Sequence, residues 1–273
     1  MRDILAVAMS VEADEPALRA AQALVEAFDA NAAAIAVSIH PGSQFAAADL
    51  PLSEILADLA KGAGADAALK KQDIIEWAAK VPRPMQVRAI EVEDALLGKE
   101  IIAETLCADL VTLTRGPGPA RRKLLEIILF GAGRPLLLLP EHWRREHWDT
   151  IVVAWNARRE ARRAVGDAMP LLQRAKRVCV ATVDAEPSPA GHAEAPGVEL
   201  AHYLARRGVA AEVHNLDGLG RTQARALNDF ATYVDADLIV MGAYGHARAR
   251  EFLFGGVTRE MLSAAPAPLL LAH

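Results

Sequence analysis

The feature that most constrains this chain is a pattern used twice. Asp3-Ile4-Leu5-Ala6-Val7-Ala8 recurs as Asp149-Thr150-Ile151-Val152-Val153-Ala154. Cys107-Ala108-Asp109-Leu110-Val111-Thr112-Leu113 recurs as Asp235-Ala236-Asp237-Leu238-Ile239-Val240-Met241, and Arg134-Pro135-Leu136-Leu137-Leu138-Leu139-Pro140 is echoed by Ala267-Pro268-Leu269-Leu270-Leu271-Ala272-His273. The three matches keep their order. The polar stretch Glu141-His142-Trp143-Arg144-Arg145-Glu146-His147 lies between the copies. The expected domains are therefore residues 1–146 and 147–273.

Each copy reads as strands alternating with helices. Short apolar runs near 3–9, 33–39, 85–92, 109–114 and 135–139 predict five strands in the first copy. Runs near 149–155, 177–183, 210–215, 237–242 and 268–272 predict five in the second. Pro16 is expected to open the first helix, with Leu18, Ala21, Leu24, Val25 and Phe28 along one face. Further helices are expected at 120–130, 158–174, 197–207, 220–234 and 256–264. Alternation of this kind calls for a parallel sheet, because right-handed crossovers place helices on both of its faces. The expected fold is α/β, two tandem doubly wound domains of five near-continuous apolar strands each. Ligands of such sheets bind beyond the carboxyl ends of the strands, where the strand order reverses. The loops after the first and fourth strands of each copy are thus the places to inspect.

Composition excludes several classes. A formal charge of −5 with interspersed signs gives no general field for nucleic acid or an anionic membrane. No run approaches the roughly 18 apolar residues that span a bilayer. The opening Met1–Pro16 stretch turns acidic too soon for a signal peptide, so a cytoplasmic location is expected. Cys107 and Cys179 are the only cysteines. Both are expected to be small buried hydrophobes in a reducing compartment, and no CxxC or Cys/His spacing predicts a metal.

After the fourth strand of the second copy the sequence runs Met241-Gly242-Ala243-Tyr244-Gly245-His246-Ala247-Arg248-Ala249-Arg250-Glu251-Phe252-Leu253-Phe254-Gly255-Gly256-Val257-Thr258. This is a strand entering a glycine turn, then a basic loop, then Gly-Gly opening a helix. Glycine lets a backbone approach a ligand closely. The amides of Gly256, Val257 and Thr258 would stand at a helix N-terminus, which favours phosphate. Thr258 would add a hydroxyl, and His246, Arg248 and Arg250 would complement the charge. The bland reading is a tight turn and a capped helix.

This loop resembles the nucleotide-binding branch of the universal stress protein family, which carries Gly, two residues, Gly, nine residues, Gly, then Ser or Thr. Gly242, Gly245 and Gly255 keep that spacing. Gly256 departs from it, losing a hydroxyl but keeping its amide. The resemblance implies the adenine nucleotide alpha hydrolase-like fold, with strand order 3-2-1-4-5. It also implies an adenine nucleotide as ligand, with ATP, with or without magnesium, as cofactor. The family places an acidic residue after the first strand; here that position is Asn156, which can still hydrogen-bond a ribose hydroxyl without charge. Trp155 would stack on a base or serve the core, and Val183 would line the adenine or likewise serve the core.

The first copy departs further. Thr114-Arg115-Gly116-Pro117-Gly118-Pro119 has two prolines where amide donors are needed, and Met9-Ser10-Val11-Glu12 has no acid at the matching place. By resemblance this domain has lost its nucleotide site. Arg115, Arg121 and Arg122 are expected at the solvated surface, with a different anionic ligand as the alternative. P-loop, dinucleotide, nucleophile-elbow and HExxH motifs are absent, and no acid, base and nucleophile stand together, which argues for binding over turnover.

Three functions follow from the resemblance: a stress protein holding ATP or a related adenine nucleotide in the second domain, a nucleotide-free scaffold or binder of another small ligand, and a slow ATPase. Leu136–Leu139 and Leu269–Leu271 would be aggregation hazards as exposed edges. Pairing them within the chain would give an intramolecular pseudo-dimer, with a homodimer as a further option.

Overall fold

The computed structural model describes residues 1–40, 52–187, 195–243 and 256–273. The chain divides into two compact units, Met1–Arg134 and Pro135–His273.

The first unit contains β1 (Asp3–Ala8), α1 (Val11–Phe28), β2 (Asn31–His40), α2 (Leu52–Lys80), β3 (Gln86–Glu93), α3 (Leu97–Thr105), β4 (Leu110–Thr114) and α4 (Pro119–Gly131). Its strands are parallel in the order β3-β2-β1-β4, the first four positions of the expected winding. Leu5, Val7, Leu18, Leu24, Ile35, Leu110, Leu113 and Leu124 are buried between sheet and helices. Each such side chain contributes roughly 1.5–3 kcal/mol by leaving water.

The second unit contains β5 (Leu136–Leu139), β6 (Thr150–Ala154), α5 (Arg159–Leu172), β7 (Arg177–Val183), α6 (Val198–Ala205), β8 (Glu212–Leu216), α7 (Gln223–Tyr233), β9 (Leu238–Gly242), α8 (Gly256–Ala264) and β10 (Leu269–Ala272). The order β8-β7-β6-β9-β10 repeats the 3-2-1-4-5 winding in parallel strands. β5 adds to it antiparallel, with Leu138 opposite Leu269, Leu137 opposite Leu270 and Leu136 opposite Leu271. All six leucines are buried.

The two copies share an anchoring device that sets their true alignment. At the start of β4, one carboxylate oxygen of Asp109 accepts the amides of Arg2 at 2.6 Å and Asp3 at 3.3 Å. At the start of β9, Asp237 does the same for Asp149 at 3.0 Å and Thr150 at 2.9 Å. Asp3 therefore corresponds to Thr150. The sequence match of Asp3 with Asp149 is displaced by one residue, because identity at one aspartate outweighed the hydrogen-bond register.

Three further expectations are corrected. α1 begins at Val11, capped by the Ser10 hydroxyl accepting the Ala13 amide at 3.2 Å, so Pro16 lies inside the helix instead of opening it. The break at Pro16 is accommodated from β4: Thr114 Oγ1 accepts the Ala17 amide at 3.2 Å, and Thr112 Oγ1 donates to the Ala17 carbonyl at 3.0 Å. β3 and β8 are not near-continuous apolar strands. Apart from buried Val92, their residues are half-buried or exposed, as suits strands with a neighbour on one side only. Cys107 is exposed, since α3 ends at Thr105 just before it, while Cys179 in the middle of β7 is buried.

Candidate functional site

The strand order of the second unit reverses between β6 and β9. From β6 the sheet continues to β7 and β8, and from β9 to β10. Ala154, at the end of β6, is opposite Met241 in β9 and Ala181 in β7. Asn156, Val183 and Gly242 thus share the carboxyl edge of three neighbouring strands. α8 joins two parallel strands and so runs against them, which brings its first residues, Gly256, Val257 and Thr258, to the same edge.

Each position has a local reason. Trp155 leaves β6 with its amide still bonded to the Ala181 carbonyl at 2.8 Å. Asn156 is exposed, and its side-chain oxygen accepts the Arg158 amide at 3.2 Å, closing the turn that starts α5. Ala157 takes the left-handed conformation at φ 56° to make that turn. Val183 is half-buried at the last position of β7.

Gly242 is fixed by packing. A Cβ there would stand 2.3 Å from the Ala161 nitrogen and 2.5 Å from the Glu160 carbonyl carbon, so β9 can meet the first turn of α5 only without a side chain. Gly256 is the opposite case: a Cβ there would meet nothing within 4 Å. Thr258 is buried, whereas Gly256 is exposed and Val257 half-buried. At this helix start Gly256 is the most exposed of the three residues and Thr258 the least. Gly245, His246 and Gly255 lie outside the described residues, as do Arg248 and Arg250.

Sequence reasoning missed Glu160. It sits in the first turn of α5 beside Gly242, only 5 % exposed. Burial works to raise its pKa, but the Arg159 side chain, its own backbone amide and the charge at His273 outweigh that and hold the carboxyl below its usual range. A carboxylate ion-paired with the Arg159 guanidinium therefore stands beside Gly242 at the switch point. The signal was present in the helical stripe: Ala161, Ala164, Val165, Ala168 and Leu171 face inward, and one turn back from Ala164 that stripe reaches Glu160.

The switch point of the first unit is closed from within. Arg121 in α4 is buried, contrary to its expected place at the surface. Its guanidinium pairs with both carboxylate oxygens of Asp14, one bond measuring 3.1 Å, and also donates to the Thr114 carbonyl at 3.0 Å. Asp14, wholly buried, accepts the Met9 amide at 2.7 Å and the Ser10 amide at 3.3 Å. The loop after β1, the end of β4 and the start of α4 are tied together by one ion pair. Arg115 is half-buried and Arg122 exposed.

A model of the Universal stress protein family matches residues 147–273. No match was found among curated proteins. Among solved structures, a universal stress protein from Archaeoglobus fulgidus DSM 4304 aligns over 99 % of this chain and 95 % of its own, with a TM-score of 0.68 at 16 % identity. A functionally unknown protein from Pseudomonas aeruginosa PAO1 aligns over 100 % and 92 %, with a TM-score of 0.58 at 17 % identity. At these identities the likeness is one of fold, and it extends over both units.

Proposed function

Because residues 147–273 belong to the universal stress protein family and the remainder shares its fold, we propose that this chain is a cytoplasmic stress-response protein that binds ATP or a related adenine nucleotide in its second unit. The observation that carries the reading is the glycine spacing from Gly242 to Gly255, which follows β9 and leads into α8 at the edge where the strand order reverses. In this reading the amides of Gly256 and Val257 meet phosphate, assisted by the helix dipole, and His246 adds a donor. Asn156 bonds a ribose hydroxyl, and Val183 flanks the base. Thr258, buried by α8, supports the helix start instead of offering its hydroxyl. Magnesium would offset the charge of the phosphates. The first unit takes no nucleotide, since Asp14 and Arg121 fill its switch point. The antiparallel β5–β10 pair supports an intramolecular pseudo-dimer.

One observation favours the nucleotide-free alternative: Gly256 offers an anion one hydroxyl fewer than Ser or Thr would. Denaturing the purified protein and running the supernatant on anion exchange separates the two. Adenine nucleotide near one equivalent per chain is expected. A blank supernatant, together with no thermal shift on adding ATP and magnesium, would leave the scaffold reading.

A further inference from the structure

The second unit carries a group of donors that neither the glycine loop nor the family match accounts for. Cys179 lies in β7, and Glu212 and His214 lie in β8. The two strands are parallel, with Cys179 opposite Glu212 and Ala181 opposite His214. Because side chains alternate along a strand, all four positions face one side of the sheet. Three corners of this square are therefore occupied by a thiol, a carboxylate and an imidazole. The fourth is Ala181, whose methyl leaves room between them.

The donor atoms of Cys179, Glu212 and His214 lie within 4.8 Å of one another. Glu212 Oε2 is 3.3 Å from His214 Nε2 and 4.0 Å from Cys179 Sγ. Ligands around a tetrahedral zinc ion, with bonds of about 2.0–2.3 Å, stand roughly 3–4 Å apart. The three atoms need only small rotamer adjustments to meet one ion. The floor of the cluster is the buried thiol, and its mouth is made by Glu212 and His214, whose side chains are 51 % and 32 % exposed. Phe230 of α7 contacts the His214 ring in a tilted arrangement with centroids 4.8 Å apart.

Arg177 gives Glu212 its outer partner, with Nε 2.9 Å from Oε1 and Nη2 2.7 Å from Oε2. An exposed cross-strand ion pair of this kind contributes little by itself and explains neither the cysteine nor the histidine. It leaves Oε2 shared among Arg177, Cys179 and His214, so an entering ion shares that oxygen with the guanidinium.

We propose that Cys179, Glu212 and His214 form a site for a zinc-type divalent cation, binding through thiolate, imidazole and carboxylate with a fourth position open to water. The mixed sulfur, nitrogen and oxygen set favours zinc or cobalt over magnesium or calcium, which take oxygen ligands. The open position is that of a catalytic or exchangeable site and not of a closed structural one. On binding, the thiol proton passes to solvent and the ion takes its place.

The test is titration of the whole chain with zinc alone, in competition with a chromophoric chelator, and with cobalt followed by its spectrum. One ion per chain is expected, with a thiolate-to-cobalt charge-transfer band. Cys179→Ser should abolish that band. Cys179→Ser, His214→Ala and Glu212→Gln should each weaken zinc at least about tenfold. Cys107→Ser should bind like the parent chain. Far-UV circular dichroism checks each fold, and if Cys179→Ser fails to fold, the two variants at the mouth of the site carry the test. Absence of binding, or zinc affinity unchanged in His214→Ala and Glu212→Gln, overturns the proposal, as does a cobalt complex lacking the sulfur band. Nucleotide release does not enter this readout, so the two proposals stand or fall separately.

Discussion

Equivalent residues in the two copies show how one side chain opens or closes a switch point. The shared aspartate hook aligns Thr114 with Gly242. Thr114 supports an interrupted helix through its hydroxyl, whereas Gly242 lets the backbone of α5 come into contact with β9. Gly242→Ala should destabilise the second unit by about 1–3 kcal/mol through overpacking against backbone that cannot yield. Gly256→Ser, entering open space, should leave stability unchanged and strengthen ATP binding about 2- to 10-fold, the value of one added hydrogen bond. Denaturant titration and calorimetry of the two variants would measure both effects, and an unaltered melt for Gly242→Ala would contradict the packing argument. In the first unit, Arg121→Ala leaves Asp14 charged and buried, and should cost about 3–5 kcal/mol. Replacing both partners with apolar residues should cost much less, and urea midpoints for the single and double variants decide it.

At the scale of elements, β5 is the instructive piece. By sequence it closes the first copy, yet it clusters with the second unit and pairs residue by residue with β10. A fragment starting at residue 147 therefore leaves the backbone edge of β10 unpaired beside three buried leucines, the condition that recruits another strand. A fragment of residues 135–273 keeps the β10 edge paired with β5. The shorter fragment is expected to show the larger mass of the two in light scattering after size exclusion. Equal masses would show that β5 does not protect that edge. Helix starts follow the same logic of local satisfaction. Ser10 and Thr222 cap α1 and α7 with their hydroxyls, both legible as helix-starting residues. Pro16 misled because its place inside α1 depends on Thr112 and Thr114, nearly a hundred residues away.

For the whole molecule, the repeat is a repeat of anchoring as much as of strands. Asp109 and Asp237 each fasten the fourth strand of a copy to the start of its first. The amide of Arg2 is the main cause that holds the Asp109 carboxyl below its ordinary value, against a smaller effect of burial. A depressed carboxylate stabilises the fold above its unfolded pKa, about 3.9, and that contribution disappears as pH falls through the lower folded value. Asp109→Ala should therefore flatten the acid limb of the stability curve below about pH 4 and lower stability at neutral pH. A curve parallel to that of the parent chain would mean the hook carries no charge-dependent stability. The exposed side of Asp109 keeps the effect modest.

The sequence by itself determined the tandem copies, the alternation of strand and helix, and the edge of the second sheet where a ligand is to be sought. Periodicity and glycine spacing are local, and they survive in one dimension. Tertiary structure decided what depends on distant partners. It buried Arg121 against Asp14 across 107 residues, brought Glu160 to the switch point, and assigned β5 to the second unit. It also set Cys179 against Glu212 and His214, 33 residues or more along the chain. A charge or a thiol looks the same in sequence whether water or another side chain will face it; only packing chooses the neighbour, and the neighbour fixes the chemistry.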